Sequence, residues 1–216
     1  FGADTVFNYT CAPYFGTCGD LVSHDGYDYS TVLIGEQCWF SENCRYLPEV
    51  SPYSVGSETD PYYYVYGYEG TDVASAISTS NYETYGVLYN WPAVMTEGIC
   101  PSGWHIPSDG EWQTMEISLG MSEAEAASEG WRGTDEGLKM KDDVQWNGSN
   151  SSGFTGLPGG SRYSGGLYVN GGNGNCWSAS ESGSYSWGRS LDDGQDDVRR
   201  DSGSRDYGFS ARCVRD

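Results

Sequence analysis

Hydrophobic and polar residues follow two different periods along this chain, one typical of strands and one typical of helices. Residues 27–34 are rich in β-branched and aromatic side chains and stop at Gly35, which predicts a strand. Apolar and polar positions alternate over residues 184–191, a turn-forming stretch follows, and a return run begins at Val198. The pattern therefore predicts one strand early in the chain and a β-hairpin near its end.

Two helices are marked by their N-terminal capping sequences. Ser108 and Glu111 have the spacing of a capping box, in which serine and glutamate side chains satisfy the first free backbone amides. Apolar side chains then recur at mostly helical spacing as far as Gly120. Ser122 and Glu125 repeat the box before a short segment rich in Ala and Glu. We therefore predict two helices, each beginning at a serine cap.

Residues 48–84 differ in composition from the rest of the chain. Prolines stand there beside a run of tyrosines, which predicts a long insertion loop with one hairpin. Residues 1–19 are predicted to form a small N-terminal segment closed by cysteines. The sequence has no fixed-period repeat and no domain boundary, so we expect a single domain over residues 1–216.

The aromatic residues of the insertion allow two interpretations. Tyrosine gives large amphipathic contact area at little entropic cost, so the run could be a binding surface, or it could cover a local core. The candidate interface residues lie in the insertion and in the predicted hairpin: Tyr62, Tyr63, Tyr64, Tyr66, Tyr68, Tyr185 and Trp187.

Composition and charge exclude several classes of protein. The 216 residues include 11 Lys and Arg against 31 Asp and Glu, a formal net charge of −20. Such a chain lacks the basic face that nucleic-acid binding requires, and anionic membrane surfaces repel it. An aromatic content of 15% is too high for a disordered acidic tail. No apolar run approaches the length needed for insertion into a membrane.

Cysteine usage favours an oxidising compartment. The seven cysteines form no C-x-x-C pair, and His24 and His105 are far apart, which argues against a zinc site. Short cysteine spacings, very few lysines and a start at Phe1, expected for a processed N-terminus, favour a secreted or cell-surface protein. The alternative is a reduced cytosolic protein.

An ordered series of dissimilar motifs resembles a known family. In chain order the motifs are Gly35 with Trp39 and Glu42-Asn43, Tyr85-Gly86 to Trp91, Cys100-Pro-Ser-Gly-Trp-His-Ile-Pro to Glu111-Trp112, Gly153-Phe154 to Arg162, Trp177-Ser-Ala-Ser-Glu181, and Gly208-Phe-Ser to Arg215. Over residues 24–47 and 85–216 the chain resembles the Fibrobacter succinogenes major paralogous domain, a family of bacterial surface and secreted modules.

That resemblance carries expectations for fold and cross-linking. It implies an α+β, C-type-lectin-like fold with two helices, a small twisted antiparallel sheet and extensive irregular loops, distantly like formylglycine-generating enzymes. It also implies a disulfide bond between Cys100 and Cys213, because a cysteine of the first helix joined to the last strand is typical of that fold.

The other cysteines depart from the family pattern. Cys38 and Cys44 both stand where the family has other residues, so we expect them to pair with each other. Cys11 and Cys18 precede the family region and are expected to pair locally. Cys176 is then left over, either as a buried free thiol, as an intersubunit bridge or as the partner of one of the other cysteines in a different pairing.

The residues argue against catalysis. Formylglycine-generating enzymes need reactive cysteines near the C-terminal sheet, and here Cys213 is assigned to a structural bond. His105 lies in a Gly-Trp-His-Ile-Pro segment typical of a packed structural histidine, and His24 precedes a turn signal. We therefore expect no enzymatic activity and no cofactor.

Calcium is the metal ion for which the sequence offers candidate ligands. Four aspartates are concentrated at the hairpin turn and could supply oxygen ligands: Asp192, Asp193, Asp196 and Asp197. A solvated acidic turn paired with nearby arginines is the favoured interpretation, and a calcium site is the alternative.

Two functions fit these observations. The first is a non-catalytic extracellular surface protein that assembles with copies of itself into a filament or surface layer. The second is a monomeric adhesin or glycan-binding module in which aromatic rings of the insertion stack on sugars. The charge of −20 opposes casual association, so an assembly would have to bury enough aromatic surface or recruit cations.

Overall fold

The computed structural model describes residues 17–169 and 172–215, which are folded mainly as short antiparallel strands. The strands are β1 (Val22–His24), β2 (Tyr27–Tyr29), β3 (Thr31–Ile34), β4 (Gln37–Phe40), β5 (Tyr63–Tyr64), β6 (Leu88–Tyr89), β7 (Trp104–His105), β8 (Gly130–Arg132), β9 (Ser161–Tyr163), β10 (Leu167–Val169), β11 (Asn173–Ser182), β12 (Tyr185–Asp192), β13 (Val198–Gly203) and β14 (Val214–Arg215). The helices are α1 (Val73–Ile77), α2 (Ser80–Tyr85), α3 (Trp91–Val94), α4 (Asp109–Leu119), α5 (Glu123–Ala127) and α6 (Glu136–Met140).

The fold class predicted from the sequence is wrong. Within the described residues the strands form five small antiparallel sheets, and the six short helices account for about 18% of the residues, so this is not a two-helix, C-type-lectin-like α+β fold. Both predicted helices are present as α4 and α5, each with its capping box formed. The remaining helices are four to six residues long, too short for a hydrophobic period to reveal them.

Two four-stranded sheets organise the chain. The first sheet has the order β3-β4-β14-β7, and the second sheet has the order β11-β12-β13-β8. The predicted hairpin is confirmed as β12 and β13. The predicted strand over residues 27–34 is interrupted at Ser30, because the Ser30 amide donates to the Glu42 carboxylate (3.0 Å) instead of to a strand.

The insertion is more ordered than the predicted loop. β5 pairs with β6 beyond the insertion, and two helices follow it. The Asp72 side chain accepts from the Ser75 amide and caps α1, and Thr79 caps α2 in the same way. These caps satisfy backbone donors that a loop would leave to water.

Buried residues form two hydrophobic cores, one on each face of the second sheet. The first core contains Trp177 and Phe209, and the second contains Trp112, Leu191 and Val198. Core side chains therefore pack against part of each face of this sheet.

Two disulfide bonds cross-link the described residues. The Cys100–Cys213 bond implied by the family resemblance is present and spans 113 residues. The second bond joins Cys18 to Cys38, so the predicted Cys38–Cys44 and Cys11–Cys18 pairs are wrong. Cys11 itself lies outside the described residues.

Backbone docking explains the unexpected Cys18–Cys38 bond. The Gly19 amide donates to the Thr31 hydroxyl of β3 (2.8 Å), and that hydroxyl donates to the Asp20 carbonyl (2.8 Å). Cys18 is thereby held against the β3–β4 hairpin, which carries Cys38. Disulfide bonds are typical of an oxidising environment. Across residues 17–169 and 172–215, no helix combines the length and the apolar character needed to cross a bilayer.

Candidate ligand-binding groove

Register places a set of small and polar residues on one face of the second sheet. Directly opposed residues of neighbouring strands point to the same side. Two rows cross β11, β12 and β13 on this face: Asn175, Ser190 and Arg199 in one, and Trp177, Gly188 and Asp201 in the next. The same face therefore carries hydrogen-bonding groups beside a position without a side chain.

A groove of about 200 Å³ opens on this face. Gly188 and Gly203 lie in its floor, and the rings of Tyr163, Tyr207 and Phe209 line it. The polar lining comes from the strands: Asn175, Ser190, Arg199, Asp201 and Ser202. An aromatic wall beside a few converging polar groups is the usual composition of a small-molecule site.

The two glycines are required by close packing. A Cβ atom on Gly203 would lie 3.0 Å from Cη2 of Trp177 and 3.3 Å from Cε2 of Phe209. A Cβ atom on Gly188 would lie 3.1 Å from the Cys176 carbonyl oxygen. Glycine therefore lets the aromatic rings rest on the strands and keeps the groove floor flat.

Edge-to-face contacts fix the aromatic wall. The Tyr163 and Tyr207 ring centroids are 4.8 Å apart at 85°, and Tyr163 meets Phe209 at 6.4 Å and 87°. Burial, followed by the charge of Asp206, raises the pKa of Tyr207, so its hydroxyl remains a neutral donor and acceptor at physiological pH.

The polar rim is preorganised by its own hydrogen bonds. The Ser190 hydroxyl donates to Oδ1 of Asn175 (2.6 Å), and Nδ2 of Asn175 donates to Oδ1 of Asn173 (2.9 Å). Arg199 and Asp201 form an ion pair with both side chains about half exposed. A guanidinium has five N–H donors, so Arg199 retains donors for a ligand while paired with Asp201.

The opposite face of the same strands is fastened to α4 by buried charges. Nη1 of Arg189 lies 2.8 Å from Asp109 and its Nε lies 2.6 Å from Glu116. Arg200 reaches Asp109 at 2.7 Å, and Arg132 reaches Glu116 at 2.6 Å. Burial raises the pKa of Asp109, but Arg200 and Arg189 more than offset it, so the pKa lies below its ordinary value. This ion network links β8, β12 and β13 to α4 on the face opposite the groove.

The seven aromatic residues predicted as an interface lie outside the lining of this groove. Tyr63 and Tyr64 are buried (5% and 0% exposed), as the local-core interpretation expects for these two. Tyr62, Tyr66 and Tyr68 are half-buried.

The two candidates in the hairpin differ from each other. Tyr185 is 51% exposed. The Trp187 ring is covered by the Arg200 guanidinium at 3.7 Å from its centroid. Trp187 therefore belongs with the face that packs against α4.

A lysine ammonium group contacts the acidic hairpin turn. Nζ of the buried Lys141 donates to the carbonyl oxygens of Asp192 (2.9 Å) and Gln195 (2.7 Å). Among the described residues, no group of three or more His, Cys, Asp or Glu side chains is arranged to hold a metal ion, so Asp192, Asp193, Asp196 and Asp197 are not gathered around a calcium position.

The two histidines take part in structural hydrogen bonds. Nε2 of His105 lies 2.7 Å from Oε1 of Glu111, the capping-box glutamate of α4. Nε2 of His24 lies 2.6 Å from the Gly98 carbonyl oxygen. Cys176 has a free thiol beside the buried Arg212 guanidinium, and burial raises the pKa of the thiol to about 11.

Sequence reasoning missed the groove residues, although one signal was available. Gly188 and Gly203 stand inside strands, where glycine weakens pairing unless another group approaches closely. A second signal concerns the opposite face: the alternation over residues 184–191 puts Arg189 on the same face as Leu191, and an arginine on an apolar face needs a buried carboxylate partner.

Fold and groove together define a mostly-β domain with a ligand-sized site on one sheet face. Residues 32–215 match the family model described as the Fibrobacter succinogenes major domain, so the chain belongs to that family, as its motifs indicated. Comparison with curated proteins gave no match, and comparison with solved structures gave none.

Proposed function

We propose that this protein is a non-catalytic extracellular binding module that takes a carbohydrate in the groove of the second sheet. The observation that carries the proposal is the combination of an aromatic wall, a glycine floor and a polar rim. A sugar ring has an apolar C–H face and a polar edge of hydroxyl groups. Tyr163 and Tyr207 offer ring surface to the first, while Asn175 and Asp201 offer acceptors and donors to the second.

The size and charge of the groove support a small, uncharged ligand. A volume of about 200 Å³ is below the range of sites for drug-sized molecules and suits one ring. Among the described residues that line the groove, Asp201 is the only carboxylate, and it is paired with Arg199, so neither charge is left isolated for an ionic ligand. The same described lining contains no histidine or cysteine to act as base or nucleophile, which favours binding over catalysis.

A glycan array followed by calorimetry on the best hit tests this proposal. We expect Tyr207→Ala to weaken binding about 5- to 30-fold, because the loss of one stacked ring costs about 1–2 kcal/mol. Asp201→Asn keeps the shape of the rim and should weaken binding less. Tyr62→Ala, a tyrosine outside the groove, is the matched control. Equal affinity of Tyr207→Ala and the wild type would refute the assignment.

Self-assembly is the second candidate, and one edge of the second sheet favours it. β8 is an edge strand of three residues that pairs only with β13 within the described residues, and its Trp131 side chain is 38% exposed. An open edge with an aromatic side chain can accept a strand from another copy. Sedimentation velocity over increasing protein concentration tests this: a single monomer species throughout, unaltered by Trp131→Lys, would contradict assembly through this edge.

A further inference from the structure

The sulfur atoms of Cys44, Cys213 and Cys100 lie close together in the structure. Sγ of Cys44 lies 3.5 Å from Sγ of Cys213, which is bonded to Cys100. That separation is van der Waals contact between sulfurs. Cys44 is fully buried, whereas Cys100 is half-buried and lines a surface groove together with Met95 and Glu97.

Backbone hydrogen bonds fix this arrangement. The Cys44 amide donates to the Ala211 carbonyl (2.9 Å), and the Phe40 amide donates to the Cys213 carbonyl (2.9 Å). Residues 40–44 therefore run along residues 211–213, and the thiol stays beside the disulfide without movement of either segment.

We propose that Cys44 exchanges with the Cys100–Cys213 disulfide and thereby turns Cys100 into a modification site. After loss of its proton, the Cys44 thiolate attacks Sγ of Cys213. A Cys44–Cys213 bond forms, the Cys213–Cys100 bond breaks, and the electron pair leaves with Cys100 as a thiolate that takes up a proton. One disulfide and one thiol are present before and after, so the step needs no oxidant or reductant.

The exchange moves the free thiol from a buried position, Cys44, to an accessible one, Cys100. Before it, the free thiol lies in the core and cannot meet an external reagent; afterwards it lies at the rim of a surface groove. There it can form a mixed disulfide with a small disulfide-containing molecule or react with an electrophile. Burial raises the pKa of Cys44 to about 12, so the exchange is slow at neutral pH and accelerates with rising pH.

Alkylation of the folded, oxidised protein tests the proposal. The protein is incubated with iodoacetamide, quenched with acid, digested without reduction and mapped by mass spectrometry. We expect label on Cys100 together with a Cys44–Cys213 linked peptide, formed about 30-fold faster at about pH 9 than at about pH 7.5, since the thiolate fraction rises tenfold per pH unit.

Substitutions locate the source of the thiol. Cys44→Ala and, as a second folded variant, Cys44→Ser should abolish labelling of Cys100 and leave the Cys100–Cys213 bond intact. Cys176→Ala and Cys11→Ala should label Cys100 as the wild type does. Simple unfolding would place the label on Cys44 with the original disulfide retained, and that result overturns the proposal. Labelling of Cys100 that persists in both Cys44 variants overturns it as well.

Discussion

At the scale of single residues, buried arginines supply positive charge and hydrogen-bond donors to the interior of this acidic chain. Five arginines are buried in the structure: Arg132, Arg162, Arg189, Arg200 and Arg212. Three of them share the carboxylates of Asp109 and Glu116, whereas Arg212 donates mainly to backbone carbonyls and to the Asn43 amide oxygen (3.1 Å). Much of the positive charge therefore lies in the interior. There each planar, always-charged guanidinium group can donate hydrogen bonds to several acceptors at once.

Glu116→Gln tests the buried ion network. It leaves Arg132 and Arg189 short of a counter-charge at a fully buried position, so we expect the free energy of unfolding to fall by about 3–5 kcal/mol. Urea denaturation followed by tryptophan fluorescence measures it. Glu123→Gln, exposed on α5, is the matched control and should leave the midpoint unchanged. A loss no larger than that of the control would mean that the network adds nothing to stability.

The same network predicts a dependence on acid. Since the pKa of Asp109 is lowered in the folded protein, its contribution to stability is complete above the ordinary value of 3.8 and is lost as the pH falls through the lowered one. We expect unfolding free energy to drop between about pH 5 and about pH 3, and to drop less in Asp109→Asn. Denaturation curves at these two pH values give the comparison, and equal drops would contradict it.

At the scale of elements, two helical glycines are expected to respond in opposite directions to the same change. A Cβ atom on Gly110 of α4 would meet nothing closer than 3.9 Å, whereas one on Gly137 of α6 would lie 2.2 Å from the Asp197 carbonyl oxygen. We expect Gly110→Ala to stabilise by about 0.5–1 kcal/mol and Gly137→Ala to destabilise by about 1–3 kcal/mol. Thermal unfolding of both variants tests this, and shifts of the same sign would contradict it.

Elements with local signals could be predicted, and elements fixed by distant contacts could not. Ser108 and Glu111 lie within one turn, so the start of α4 is visible in the sequence. Tyr163, Asn175 and Tyr207 line the groove but come from separate segments of the chain. No short stretch of sequence therefore shows that they lie close together. The burial of the β5 tyrosines could not be read from the local sequence, because it depends on the partner strand β6.

At the scale of the molecule, the two disulfide bonds close loops of very different length. The Cys100–Cys213 bond spans 113 residues and the Cys18–Cys38 bond spans 20. Loop-closure entropy then predicts losses of about 5 and about 3 kcal/mol for the double alanine variants of each pair. Unfolding midpoints of the two variants measure the order. A greater loss from the shorter loop would show that native packing around Cys18 outweighs chain entropy.

The alternation of side chains across β12 and β13 has a consequence for redesign. Alternate positions along each strand serve separate purposes: Arg189 and Arg200 bind the carboxylates of α4, while Ser190 and Arg199 lie on the groove face. A library randomised only at Ser190 and Arg199 would vary recognition while leaving the two glycines and the residues that contact α4 unchanged. The groove face can therefore be varied to select new binding specificities, while the opposite face keeps the contacts to α4 that support the fold.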